Sequence, residues 1–231
     1  MLNRKPLLLG HRGARAHGLQ RSTSNFPAEN SLAAFEYALE HGCDGFEFDV
    51  RHTRDGRNVL WHDASWNGLH IASTDYLDLT DRSGGRLACL EDVLEIFGSR
   101  AYLDIEIKVS GHEESVIAAL RANPPQRGFI VSSFLPEVLL RLHEMADELP
   151  LGFICDRGDA LSLWRELPIG VLLPHYAMVQ PALTLDVHNR GLQIMTWTVN
   201  DQRRMRQLAD WEIDGLISDD PRLLYQTFHS E

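Results

Sequence analysis

Eight short apolar runs, separated by longer amphipathic stretches, constrain the fold of this chain more than any other feature. They are Leu7–Gly10, Gly45–Val50, Ala101–Ile107, Gly128–Val131, Leu151–Cys155, Gly170–Leu173, Leu192–Val199 and Gly215–Ser218. Each is brief and almost continuously hydrophobic, the pattern of a strand covered on both faces. Helical patterns follow most of them, at Ser31–Glu40, Glu113–Arg121, Pro136–Ala146, Pro181–Asn189 and Asp201–Asp210. Asn30 is placed to cap the first helix. Pro136, Pro181 and Pro221 suit first helical turns, and Gly42 and Gly191 suit left-handed C-caps. Strands alternating with helices imply an α/β protein with a parallel sheet. Eight repeats in 231 residues favour a closed (β/α)8 barrel of the TIM type, a fold that runs from about 200 residues upward, over an open doubly wound sheet. No Gly/Ser-rich linker or low-complexity tract divides the chain, so residues 1–231 read as one domain.

Two stretches break the rhythm. Ala14–Ala28 follows the first strand without an apolar period. Arg57–Leu90 holds an extra strand-like segment, Asn58–His62, and then a polar stretch, so residues 57–90 read as a short insertion or cap after the second strand. Loops that follow barrel strands build the active face, which puts both stretches there.

Composition narrows the partners. Lys plus Arg is 22 and Asp plus Glu is 33, a net charge of 22 − 33 = −11. Such a surface repels phosphate backbones, so no nucleic-acid partner is expected, nor binding to anionic membranes by charge alone. No apolar stretch approaches the roughly 18 residues of a membrane span, so no stable membrane insertion is expected. The leucine run within Met1–Gly10 is too short for a signal-peptide core. Three scattered cysteines, with no CxxC pair, fit a reducing compartment, and the expected location is cytoplasmic. Nothing in the pattern speaks to oligomeric state.

Four strings carry the chemistry. In Phe46-Glu47-Phe48-Asp49-Val50, period-two alternation puts Glu47 and Asp49 on one face and the apolar residues on the other. Two carboxylates on an inner strand need neutralising, and a divalent cation is one partner, since hard cations take oxygen ligands. A solvated edge strand is the plain alternative. In Leu103-Asp104-Ile105-Glu106-Ile107-Lys108, the charged residues again share a face; Glu106 is a candidate third ligand and Lys108 a candidate phosphate contact, against an internal Glu–Lys ion pair. Gly10-His11-Arg12-Gly13 ends the first strand with a candidate general acid or base and a side chain suited to bidentate phosphate binding. Leu60-Trp61-His62-Asp63 ends the extra strand and can turn His62 toward the same mouth. His-Asp pairs also occur in helical metal phosphohydrolases, but this one is not on a helix. Among the other histidines, His175 stands out because it follows a strand.

Taken together, these strings resemble the glycerophosphodiester phosphodiesterase family. The match runs through His11-Arg12-Gly13, Glu29-Asn30-Ser31 with Ala33-Ala34-Phe35, Gly42, Asp44, Glu47-Phe48-Asp49-Val50, Thr53, Asp55-Gly56, Val59 and His62-Asp63. It continues through Ile105-Glu106-Ile107-Lys108, Ser132-Ser133-Phe134, Thr196-Trp197-Thr198-Val199-Asn200, Asp214-Gly215 and Ser218-Asp219-Asp220-Pro221, in order over essentially the whole chain.

The resemblance implies a TIM-type barrel and metal-dependent hydrolysis of a glycerophosphodiester to sn-glycerol 3-phosphate and an alcohol. It assigns Glu47, Asp49 and Glu106 as metal ligands, His11 and His62 as the acid/base pair, and Arg12 and Lys108 as phosphate-binding groups. Phe134 and Trp197 fall in its substrate pocket, and Glu29 is an outer partner of the site. All-oxygen ligation points to one Mg²⁺ or Ca²⁺, with Mn²⁺ also admissible. Two departures bear on substrate choice: a polar insertion around Arg15–Asn25, and a shorter stretch after His62. A wider mouth would admit a lysophospholipid, which makes lysophospholipase D activity the near alternative. A non-catalytic barrel that binds phosphorylated ligands, and an unrelated barrel whose inner acids form structural ion pairs, are the readings from other classes.

Overall fold

The computed structural model describes residues 5–16, 26–66, 68–83 and 87–229. Eight parallel strands close into a barrel: β1 (Leu7–Gly10), β2 (Gly45–His52), β6 (Tyr102–Ile107), β7 (Phe129–Ser133), β8 (Leu151–Cys155), β9 (Val171–Pro174), β10 (Gln193–Thr196) and β11 (Gly215–Ser218). Closure comes from β1, which pairs with β11 from Leu7↔Gly215 to Gly10↔Ser218 and with β2 at Leu9↔Gly45 and Gly10↔Phe46. These are the eight runs read from the sequence. Three further strands lie after β2: β3 (Asn58–Leu60), antiparallel to β2, and the small hairpin of β4 (Ser65–Trp66) and β5 (Leu69–His70).

The outer layer is α1 (Leu32–Glu40), α2 (Tyr76–Ser83), α3 (Leu90–Phe97), α4 (Glu113–Ala122), α5 (Pro136–Met145), α6 (Gly158–Leu161), α7 (Pro181–Asn189), α8 (Gln202–Asp210) and α9 (Pro221–His229). Pro136 and Pro181 open α5 and α7, and Gly42 and Gly191 take positive φ just past α1 and α7, as their chemistry requires. The cap of α1 differs from expectation. Ser31, not Asn30, is the N-cap, its Oγ accepting from Ala34 N at 3.2 Å. Asn30 instead adopts φ 55°, donates from Nδ2 to Asp49 Oδ2 at 2.7 Å and accepts from Asp49 N at 3.1 Å. An amide that satisfies both a buried carboxylate and a strand N–H is drawn away from a solvent-facing cap. The polar stretch after β3 is also more ordered than its pattern implies, since it carries β4, β5 and α2. His17 and the rest of the polar insertion, residues 17–25, lie outside the described residues, as do Met1–Arg4.

Side-chain parity sorts the core into two layers. Phe46, Phe48, Val50, Leu103, Ile105 and Ile107 point outward and pack under the helices with Phe35 and Phe97. Phe35 stacks on Phe46 with centroids 4.2 Å apart, and Phe97 meets Phe46 edge-on at 5.2 Å. Inside the barrel, Leu9, Ile130, Ile154, Val171, Leu173, Met195 and Ile217 form a second apolar cluster. The acids of β2 and β6 share that interior. Among the described residues no helix is long and apolar enough to cross a membrane.

Candidate active site

Four segments meet at the C-terminal ends of the barrel strands. After β1 the chain turns at once: Gly13 N bonds to Gly10 O and to Glu47 O, both at 3.2 Å. Gly13 has φ 79°, and a Cβ there would lie 2.6 Å from the Ala34 carbonyl carbon, so only glycine fits. Arg12 is itself left-handed, at φ 50°, an unfavourable conformation for a side-chain-bearing residue. The turn aims Arg12 N at Glu47 Oε2, 2.8 Å away.

β2 and β6 pair with Glu47 opposite Asp104 and Asp49 opposite Glu106, so period-two alternation delivers four acids to the interior. One oxygen each from Glu47, Asp49 and Glu106 lies within 4.8 Å of the others. Glu47 is 4% exposed and Asp49 1%. Two cations answer them. Lys108 Nζ bridges Glu106 Oε1 at 2.6 Å and Asp49 Oδ1 at 3.2 Å. Arg12 Nη1 donates to Glu29 Oε1 at 2.7 Å. Its Nε lies 3.2 Å from Asp49 Oδ2 but out of hydrogen-bond alignment, which makes that contact Coulombic. Arg15 Nε also reaches Glu29, at Oε2 and 2.7 Å.

The acids are held unequally. Burial raises the Glu47 carboxyl well above its ordinary range, and Asp49, Glu106 and Asp104 raise it further. Burial likewise raises Glu106, with Lys108 pulling it back. Burial also acts upward on Asp49, but Lys108, Arg12 and the Asn30 amide outweigh it and hold Asp49 below the usual carboxylate value. Asp104 is pushed up to about 7 by burial, against a 2.5 Å hydrogen bond from Ser132 Oγ. Glu47 Oε1 is buried and has no hydrogen-bond partner. A converging all-oxygen donor set with one orphaned carboxylate oxygen fits a hard divalent cation, so the cluster can hold a metal ion.

The two histidines are each oriented by a carboxylate. His11 Nδ1 lies 2.7 Å from Asp219 Oδ1, and His62 Nδ1 lies 2.7 Å from Asp63 Oδ1. An ionised carboxylate only accepts, so each Nδ1 carries the hydrogen and each Nε2 is left for chemistry. His11 Nε2 lies 3.8 Å from Glu47 Oε2. β3 returns antiparallel along β2 to bring His62 in: Trp61 N donates to Asp49 O at 3.1 Å and Arg51 Nε to His62 O at 2.8 Å. Burial lowers the His62 pKa, and Arg12 and Lys108 lower it further, against Asp49 and Asp63.

His11, Arg12, Glu47, His62, Glu106, Lys108, Phe134 and Trp197 all face one cavity of about 250 Å³. Of the residues picked from the sequence, Asp49 and Glu29 do not line it. Asp49 lies beneath Arg12 and Lys108, and Glu29 stands behind Arg12. His175 stands beside Trp197, ring centroids 5.4 Å apart, rather than at the acid cluster. Asp219 and Asn200 belong to the site although no role was read for them. Asn200 Nδ2 donates to Asp219 Oδ2 at 2.6 Å, and its Oδ1 accepts from Asp219 N at 2.9 Å and Ser218 Oγ at 3.0 Å. Their signal was positional, because both follow barrel strands at the end where active sites form.

Comparison with known proteins agrees with this fold. The model of the glycerophosphoryl diester phosphodiesterase family matches residues 11–223. A glycerophosphodiester phosphodiesterase of Caldanaerobacter subterraneus subsp. tengcongensis is 30% identical over 243 residues, covering 95% of this chain and 96% of that protein. Among solved structures, a glycerophosphodiester phosphodiesterase from Parabacteroides distasonis superposes with a TM-score of 0.84 at 24% identity, covering 97% of each chain. An Oleispira antarctica phosphodiesterase, solved with its product sn-glycerol-3-phosphate, superposes with a TM-score of 0.82 at 22% identity, again over 97% of each chain.

Proposed function

This chain belongs to the glycerophosphoryl diester phosphodiesterase family, and on that footing we propose that it catalyses metal-dependent hydrolysis of a small glycerophosphodiester to sn-glycerol 3-phosphate and a free alcohol. The observation that supports this most is the clustering of Glu47, Asp49 and Glu106, one oxygen of each within 4.8 Å of the others, at the wall of a cavity that Glu47 and Glu106 line together with His11 and His62. Glu47, Asp49 and Glu106 would hold one Mg²⁺ or Ca²⁺, with Mn²⁺ as a substitute. When bound, that ion supplies Lewis-acid polarisation of a non-bridging phosphate oxygen.

The rest follows from the side chains. Arg12 and Lys108 face the cavity and neutralise the phosphate as negative charge builds in the transition state. One of His11 and His62 takes the proton of the attacking hydroxyl as the new P–O bond forms. The other protonates the alcohol oxygen as its bond to phosphorus breaks. The two act from opposite protonation states, so the rate has a bell-shaped pH profile. Asp219 and Asp63 fix the tautomers. Glu29 holds the Arg12 guanidinium in place, and Phe134 and Trp197 wall the space for the alcohol. Three acids against one divalent cation leave −1, and Arg12 with Lys108 bring the sum over these groups to +1, with Asp104, pushed up to about 7, and Asp156 at the rim lying outside that sum. The pocket is therefore compatible with an anionic substrate inside a chain of charge −11. That overall charge supports neither a nucleic-acid nor an anionic membrane partner. Three buried free cysteines support a reducing, cytoplasmic setting.

The decisive experiment is an assay of glycerophosphocholine against lysophosphatidylcholine with Mg²⁺, Ca²⁺ and Mn²⁺. Turnover of the deacylated ester, lost in excess EDTA and in Glu47→Gln and Glu106→Gln, is the expected result. Full activity in EDTA would sink the metal assignment, and turnover of the lysolipid alone would make the protein a lysophospholipase D. His11→Ala and His62→Ala are each expected to lower kcat by about 10²-fold or more.

A further inference from the structure

The cavity wall away from the acid cluster is apolar except at one point. Ile154, Leu173, Ile217, Phe134 and Trp197 form it, and Asp156, the residue after β8, stands at its rim. In the closed barrel order, β8 is four strands from β1 in either direction, the farthest place from His11 and Arg12. Asp156 has no hydrogen bond or ion pair among the described residues. Its neighbour Arg157 is committed to Asp159, with Nε 3.1 Å from Oδ1. His175 forms no ion pair with it among the described residues: its Nδ1 accepts from Ala177 N at 3.3 Å, and burial lowers its pKa against the opposing pull of Asp156.

A lone carboxylate at the mouth of a site for an anionic diester opposes the substrate, unless the substrate brings a positive charge to it. Of the cations that answer the phosphate, Arg12 stands across the barrel from Asp156 and Lys108 follows β6, two strands away, so a charge beside Asp156 belongs to the alcohol. The aromatic surface narrows the type of cation. Lys108 Nζ already lies 5.7 Å from the Phe134 centroid. Trp197 faces no cation among the described residues, and its ring is fixed by Nε1 donating to Leu173 O at 2.9 Å. A cation beside an indole and aliphatic walls is best one whose charge is wrapped in methyl groups, since a bare ammonium would lose strong hydration there.

We propose that Asp156 selects glycerophosphodiesters whose alcohol carries a quaternary ammonium, seated between its carboxylate and the Trp197 ring. This selectivity rests on the phosphodiesterase reading above. The test compares glycerophosphocholine with the glycerophosphodiester of 3,3-dimethylbutanol, an uncharged isostere of choline, under saturating Mg²⁺. Wild type is expected to favour the choline ester in kcat/KM by about tenfold, the scale of a partly exposed charge pair with an aromatic contribution. Asp156→Asn is expected to bring that ratio close to one, and Asp156→Glu to retain most of it. Equal losses on both esters in Asp156→Asn would mark a structural role and overturn the proposal. So would a ratio unmoved by the substitution, or a wild type blind to the charge. Hydrolysis of neither ester with Mg²⁺, Ca²⁺ or Mn²⁺ would overturn the reaction itself and the selectivity with it, a result distinct from the other three.

Discussion

At the residue scale, each of the two site histidines is oriented by a carboxylate, and only one of those two carboxylates is evident in the sequence. Asp63 was visible because it adjoins His62. Asp219 is 208 positions from His11 and meets it only because β11 pairs with β1. Burial would raise the Asp219 carboxyl, but the His11 and Asn200 hydrogen bonds keep it below its ordinary value and hence charged. Asp219→Asn keeps the size of the side chain and removes the charge that fixes the His11 tautomer. It is expected to lower kcat by about 10- to 100-fold with KM and thermal midpoint close to wild type. A rise in KM alone would assign Asp219 to binding instead.

At the element scale, β2 was legible almost completely. Alternation named Glu47 and Asp49 as inward and Phe46, Phe48 and Val50 as outward, and the structure keeps that division. The aromatic side of the same strand anchors it, since Phe46 is fully buried between Phe35 and Phe97. Phe46→Ala is expected to cost about 3–5 kcal/mol, read as a lower urea midpoint at unchanged m-value, because the rings around it cannot close the cavity. Less legible was the stretch after β3. Its period is broken by turns, and α2 has Leu77 exposed while Leu79 is buried. An eight-residue helix that follows a hairpin of two two-residue strands is decided by what it packs against, not by propensity. Asn30 shows the same override, since a buried carboxylate took an amide that local rules assign to a cap.

At the scale of the whole molecule, closure decides which face of each strand is wet, and stability follows from what closure buries. His52, at the end of β2, points away from the acid cluster. It is 1% exposed, its ring stacks on His112 at 4.1 Å, and neither ring nitrogen has a hydrogen-bond partner. Burial, with a contribution from His112, lowers its pKa from 6.5 to about 3. The unfolded chain therefore takes up the proton first. The stabilisation from a neutral His52 is complete above about pH 6.5 and is lost as pH falls toward 3, by up to about 1.4 kcal/mol per unit. Denaturation of wild type and His52→Gln at pH 7 and pH 5 checks this. The wild type is expected to lose roughly 2 kcal/mol more than the variant, and parallel losses would remove His52 from the account. The sequence by itself determined the alternation of eight strands with helices, the inward acids, and the histidine and cation at the strand ends, because period, turn chemistry and charge are local properties of the chain. Only the tertiary structure decided that Asp219 orients His11, that Asn30 serves Asp49, and that Asp156 shares one cavity with His11, Arg12 and Lys108. Those contacts join strands far apart in the chain, and their distances are set by barrel register, which no local pattern encodes.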